Sequence, residues 1–150
     1  MIHIKEIDKD NLFDVCELTS NANGIATVLE DYICCNAISI AESHYYPEFK
    51  PKALYCEQAL IGFFMYRERD LLPNEAQICR YMLDHKFIGQ GLGKKTFSAI
   101  IDYFKAKGLH RVTLGVDNEN NIAKNLYISH GFTYTGEIVD GEYIYSLKLI

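Results

Sequence analysis

The stretch KFIGQGLGKKT, Lys86 to Thr96, decides how this chain is read. It follows an apolar run and precedes a helical pattern in which Phe97, Ile100, Ile101 and Phe104 fall at i, i+3, i+4 and i+7. Gly89, Gly91 and Gly93 therefore stand at a helix start, where glycine is the least stabilising ordinary residue. Lys94 and Lys95 follow, although the positive end of a helix dipole favours Asp or Glu. An anion at this place resolves both oddities. Glycines let the main chain approach a pyrophosphate closely, unpaired amide N–H groups point at it, and the lysines carry the matching charge.

Two familiar anion-binding patterns fail on spacing. Walker A needs four residues between its first glycine and Gly-Lys-Ser/Thr, which puts Ile88 where that glycine belongs. The dinucleotide fingerprint needs G-x-G-x-x-G after a parallel strand; here the glycines run G-x-G-x-G, and the strands before them read as antiparallel.

Outward from this segment the pattern extends both ways. AQICRYMLD, Ala76–Asp84, reads as a strand, preceded by a polar loop with Pro73-Asn74 and a hairpin of ALY and ALIGFFMYR bending at Glu57-Gln58. Earlier come a strand on Ile2, Ile4 and Ile7, and a short helix capped by Asp10 or Asn11 with Leu12, Val15, Cys16 and Thr19 on one face. After a break at Asn21–Gly24, the spacing of Val28, Tyr32, Cys35, Ile38 and Ile40 predicts a helix from about Ala26 to Ser43, and YYPEFKPK reads as a loop. Downstream, Gly108 stops the glycine-led helix. Then follow RVTLGV as a buried strand, the turn DNENN, a helix through AKNLYISH to Gly131, and two strands joined by Asp140-Gly141. The central strand–helix–strand unit should pair in parallel with a right-handed crossover.

The chain of 150 residues reads as a single domain, 1–150, with 49% apolar and 23% charged residues. Its net charge of -5 leaves no cationic excess for phosphate neutralisation, so nucleic acid is not an expected partner and a cationic one suits it better. Cys16, Cys34, Cys35, Cys56 and Cys79 are odd in number and lack metal-ligand spacing, which points to a reduced cytoplasm and no metal. The N-terminal MIHIKEIDKDNL does not read as a signal peptide, and ALIGFFMY is too short to span a bilayer, so no membrane association is expected.

Gly91-x-Gly93 after MLD resembles the acetyl-CoA loop of the GNAT N-acetyltransferases, Gln/Arg-x-x-Gly-x-Gly/Ala. In NNIAKNLYISHGF, Asn120, Ala123, Leu126, Tyr127, Gly131 and Phe132 match the second signature of that family. The resemblance implies an α+β GNAT fold: a mixed, mostly antiparallel central sheet of about seven strands with helices on both faces. It implies acetyl-CoA as cofactor and transfer of acetyl to a primary amine by direct attack in a ternary complex. YYPEFKPKALY, IGFFMY and CRYMLDHKFIGQGLGKK look like the bacterial diamine and spermidine or spermine acetyltransferases, implying a small-molecule amine acceptor, a polyamine. A protein N-terminus, an amino sugar or an amino acid stays open as acceptor, as does a non-catalytic acyl-CoA-binding module. Homodimers are common in the family, so a dimer is one expectation.

Carried onto this chain, the resemblance places the pantetheine arm along the strand edge Tyr81, Met82 and Leu83, where a splay from the neighbouring strand frees main-chain N–H groups. Gly89, Gln90, Gly91, Leu92, Gly93 and Lys94 hold the pyrophosphate; Asn120 and Ala123 border the arm; Tyr127 protonates the leaving thiolate. Asn120 reads equally as a helix cap. Glu30, Asp31, Glu42, Tyr45, Tyr46 and Cys79 are the candidates for meeting the acceptor, by ion pairing and cation–π contact, although each acidic or aromatic residue reads as well as part of a solvated face. Two positions depart from the family pattern: Ile88 replaces Gln/Arg, and Cys79 stands where polyamine acetyltransferases usually carry a carboxylate. For the missing base, Glu75, Asp84, His85 and Tyr81 are weighed and a water relay is preferred.

Overall fold

The computed structural model describes residues 1–68 and 73–150; part of the loop expected before the strand at Ala76 lies outside them. The chain runs β1 (Ile2–Glu6), α1 (Leu12–Glu17), α2 (Asn36–Tyr45), β2 (Phe49–Cys56), β3 (Ala59–Glu68), β4 (Glu75–Leu83), α3 (Leu92–Ala106), β5 (Arg111–Asp117), α4 (Asn121–Ser129), β6 (Thr133–Val139) and β7 (Glu142–Lys148). The strands form one seven-stranded sheet in the order β1-β2-β3-β4-β5-β7-β6. Among the described residues, only β4 and β5 pair in parallel, across the α3 crossover; the other pairs are antiparallel.

Strand alternation assigns the two cores. On β3, Phe64 and Tyr66 enter the larger core with Phe97, Ile100, Ile101 and Phe104 of α3 and Tyr127 of α4. Phe63 and Met65 face the other way, onto Val15 of α1 and Ile40 of α2. Burying each such aromatic contributes about 1.5–3 kcal/mol, so the crossover helix is held firmly on the sheet. Where β3 passes β4, a Cβ on Gly62 would stand 2.5 Å from the Met82 carbonyl oxygen, so only glycine fits that approach. The Asp140-Gly141 turn has both residues at positive φ, the form that suits a two-residue hairpin.

Three expectations are corrected. The helix predicted from Ala26 begins only at Asn36; before it the chain folds into a small closed turn, with Leu29 bridged to Cys34 and the Cys35 amide donating to Val28 O at 2.9 Å. YYPEFKPK is a loop only to Glu48, because β2 starts at Phe49 and runs through Pro51. Pro51 lies one residue beyond the stretch of β2 that β1 pairs, so that side is an edge there and a missing N–H is tolerated. Asn11 occupies the α1 cap position, but its side chain accepts from the Asp8 amide instead of capping the helix.

Candidate functional site

β4 pairs with β5 only over Glu75–Ile78 against Arg111–Leu114. Beyond that point β4 stays with β3 as far as Leu83, while β5 continues with β7 to Asp117. The two strands part at Cys79, and the main chain of Cys79–Leu83 has no β5 partner. The β3–β4 register also shifts here: Met65 opposes Arg80 and Tyr66 opposes Ile78, leaving Cys79 as the extra residue of a bulge. A free strand edge at a bulge can accept an extended ligand through main-chain hydrogen bonds.

The start of α3 is held beside this edge. The Tyr81 hydroxyl is hydrogen-bonded to Thr96 Oγ1 at 2.7 Å and reaches Gly93 O at 3.4 Å, tying the first turn of α3 to β4. Gly91 is the N-cap, at φ 76, and no side chain caps the helix; Gly89 is at φ 83. Those two glycines are required by conformation. Gly93 is not, since its φ is ordinary and a Cβ there would meet nothing within 4 Å. Main-chain N–H groups without a side-chain cap and a glycine that the fold does not need are what a pyrophosphate at this helix start would use. Lys94 and Lys95 are exposed and enter no ion pair among the described residues, and Gln90 lies in the same exposed turn, its amide donating to Lys86 O. The residues thus fit the coenzyme of the family that the sequence resembles.

Tyr127 stands on the same side of the sheet. Its ring packs 5.1 Å from that of Phe97, which in turn lies 5.4 Å from Tyr81, so three aromatic rings link α4, α3 and β4. Burial, with smaller contributions from Tyr81 and Glu142, pushes the Tyr127 phenol well above its usual range. No group among the described residues hydrogen-bonds its hydroxyl. Asn120 caps α4, its Oδ1 accepting from the Ala123 amide at 3.3 Å, and Ala123 packs against the larger core.

The residues weighed as base or acceptor contacts are scattered. Burial pushes the Tyr81 phenol up to about 12, against the Thr96 hydrogen bond, so it is no base at neutral pH. Burial likewise pushes the Cys79 thiol up to about 11. Glu75 sits at the far end of β4, 3.7 Å from Arg111. Asp84 is buried and accepts from the Thr19 amide, and the His85 ring lies against Gly24, where a Cβ would approach it to 2.9 Å. Glu30 accepts from Thr19 Oγ1, Ser20 N and Ser20 Oγ; burial alone would raise its pKa, but these hydrogen bonds prevail and lower it. Asp31 and Tyr45 are exposed, and Tyr46 rests edge-on against Phe49. Glu42 alone of the set stands by Cys79, through Arg80 at 3.7 Å.

Sequence reasoning passed over Thr96, Arg80 and His130. His130 joins the two helices of the larger core, its Nε2 lying 3.1 Å from Ser98 Oγ and 3.3 Å from Lys94 O. A cation inside the apolar run of β4 was the available signal for Arg80; nothing in the pattern singled out Thr96.

Residues 24–132 match the acetyltransferase (GNAT) family. The chain is 31% identical over 146 residues, 91% of each chain, to the spermine/spermidine N(1)-acetyltransferase of Bacillus subtilis. A shorter stretch of 61 residues, 41% of this chain and 42% of the relative, is 38% identical to the ribosomal protein bS18-alanine N-acetyltransferase of Haemophilus ducreyi. The fold superposes on the spermidine N-acetyltransferase of Vibrio cholerae, solved with CoA and spermine, with a TM-score of 0.73 at 18% identity, covering 99% of this chain and 95% of that one. The chain belongs to the GNAT acetyltransferase family. It is an acetyl-CoA-dependent N-acetyltransferase, and the fold the sequence resembles is the fold it has.

Proposed function

We propose that this enzyme acetylates a primary amine of a polyamine by direct attack in a ternary complex. The observation that carries this reading is the parting of β4 and β5 at Cys79. It opens the sheet between a face with an uncapped, glycine-led helix start and a face with carboxylates. When bound, the coenzyme supplies an activated acetyl thioester. The main-chain groups of Tyr81, Met82 and Leu83 align its arm, and Gly89–Lys94 hold its phosphates. Asn120 fixes the start of α4, with Ala123 packed behind it. Tyr127 then gives its proton to the departing sulfur. Its raised pKa cuts both ways: the proton is present at any physiological pH, while a phenolate in that pocket is costly and must be reprotonated within the turnover.

Support for the polyamine comes from the Bacillus subtilis relative, the net charge of -5, and the acidic residues Glu30 and Glu42 on the α1–α2 side, of which Glu30 is held below the usual carboxylate range by its hydrogen bonds. Asp31, Tyr45 and Tyr46 add acidic and aromatic surface to that side. The test is a free-thiol assay with acetyl-CoA across spermidine, spermine, amino sugars, amino acids and a peptide with a free N-terminal alanine. The polyamines should turn over fastest, with an advantage that shrinks as salt rises. Turnover confined to the peptide would replace the polyamine by a protein N-terminus.

A further inference from the structure

The bulge on β4 turns both Cys79 and Arg80 toward α2, and there four groups meet. Arg80 Nη1 donates to Cys79 O at 2.9 Å, Arg80 Nε donates to Cys34 Sγ at 3.4 Å, and Arg80 Nη2 stands 3.7 Å from Glu42 Oε1. That last distance gives charge attraction without a hydrogen bond. Glu42 Oε1 is shut off from solvent and accepts no hydrogen bond among the described residues, although the side chain as a whole is one-third exposed. A buried carboxylate oxygen without a donor is costly, and such groups are kept where their lone pairs are used.

Three features of this carboxylate suit one role. It lies beside Cys79, where β4 leaves β5 and the sheet opens. Its inner oxygen is free to accept. The side chain as a whole is one-third exposed, which gives a route for a proton to leave. The other groups near Cys79 cannot do this work: the thiol is held protonated by burial, and Arg80 is a donor only.

We propose that Glu42 is the proton acceptor of the reaction, its Oε1 taking a proton from the acceptor ammonium before the amine attacks. The freed lone pair on nitrogen forms the C–N bond to the acetyl carbon. The C–S bond breaks, its electron pair goes to sulfur, and the sulfur takes a proton from Tyr127. The nitrogen gives up a second proton as the amide forms, which restores Tyr127. The proton on Glu42 passes to solvent, so one proton is released per turnover. Arg80 is a positioning residue, holding Glu42 and the Cys79 carbonyl together.

The charged and titratable groups facing Glu42 are Arg80 and Cys79 from β4 and Cys34 from the segment before α2, with Arg67 of β3 beside Cys79. Along α2 itself, His44 lies two residues on. This proposal rests on acetyl transfer to an amine and is independent of which amine is used.

The test follows kcat against pH for the wild type, Glu42→Gln and Glu42→Asp, with spermidine and with a peptide bearing a free N-terminal alanine. Glu42→Gln should lose roughly 10²-fold at pH 7. The deficit should close as the amine deprotonates unaided, near pH ~10 for an alkyl ammonium and near pH ~8 for a peptide α-amine. Glu42→Asp should keep the wild-type pH shape at a lower rate, and melting curves should stay within a few degrees of wild type. A deficit under about threefold at pH 7 overturns the proposal, as does a deficit that is constant with pH, which would mean Glu42 only braces Arg80. Turnover of the peptide alone would overturn the polyamine reading and leave the Glu42 test to run on the peptide. Turnover of neither amine would overturn the transfer reading and the role of Glu42 with it.

Discussion

In the proposed mechanism Tyr127 is at once a core residue and the proton donor. Its ring is part of the packing against Phe97 and Phe132, and its hydroxyl has no partner among the described residues. Replacement by Phe keeps the ring and removes only the hydroxyl. Tyr127→Phe should lower kcat by on the order of 10², with the affinity for acetyl-CoA nearly unchanged, because the proton moves only as the C–S bond breaks. Isothermal titration and steady-state rates on the same preparation separate the two. A variant within about threefold of wild type in kcat would leave Tyr127 as packing. At this scale the sequence was informative about placement where a residue sits inside a spaced motif: Asn120 caps α4, one of its two readings, and Tyr127 lies on α4 against the sheet. It was uninformative where the role depends on which face a bulge presents. Arg80 and Cys79 point to the same side because the β3–β4 register slips at Cys79, the extra residue between Ile78 and Arg80, and no periodicity encodes that slip.

The start of α3 separates two reasons for glycine. Gly91 is at φ 76, so any side chain there strains the apo fold as well as blocking a ligand. Gly93 has open space and an ordinary φ, so Gly93→Val should leave the apo melting temperature the same or slightly higher. If the helix start holds the pyrophosphate, the same substitution should raise the Kd for acetyl-CoA at least about tenfold, because a branched Cβ occupies the approach. An unchanged Kd by calorimetry would remove α3 from the coenzyme site. This element was legible because its departures from helix propensity are large and consecutive. The α1–α2 segment was not. Val28, Tyr32 and Cys35 keep helical spacing, yet Glu30 binds Thr19 and Ser20, and the Glu30 and Cys35 amides donate to Ile33 O and Val28 O. Those bonds fold residues 26–35 into a turn, and tertiary hydrogen bonding of this kind leaves no mark on a periodic pattern. Thr27 and Val28, both β-branched, offer little helical preference to resist it.

Across the whole molecule, the proposed mechanism turns on one break in strand pairing. The order of elements and the parallel β4–β5 unit follow from connection lengths and the right-handed crossover rule, and both were readable. Where the parallel pairing ends was not, because Cys79–Leu83 reads as an ordinary continuation of an apolar strand. That end point leaves the edge of β4 open between the α3 start and the Glu42–Arg80 pair, where the proposed mechanism holds both partners of the transfer at once. Direct attack then needs no covalent acetyl-enzyme. Initial rates over a matrix of acetyl-CoA and spermidine concentrations test this most directly. The account predicts double-reciprocal lines that intersect, as a ternary complex requires. Parallel lines would mean that acetyl resides on the protein between two half-reactions, and would contradict it.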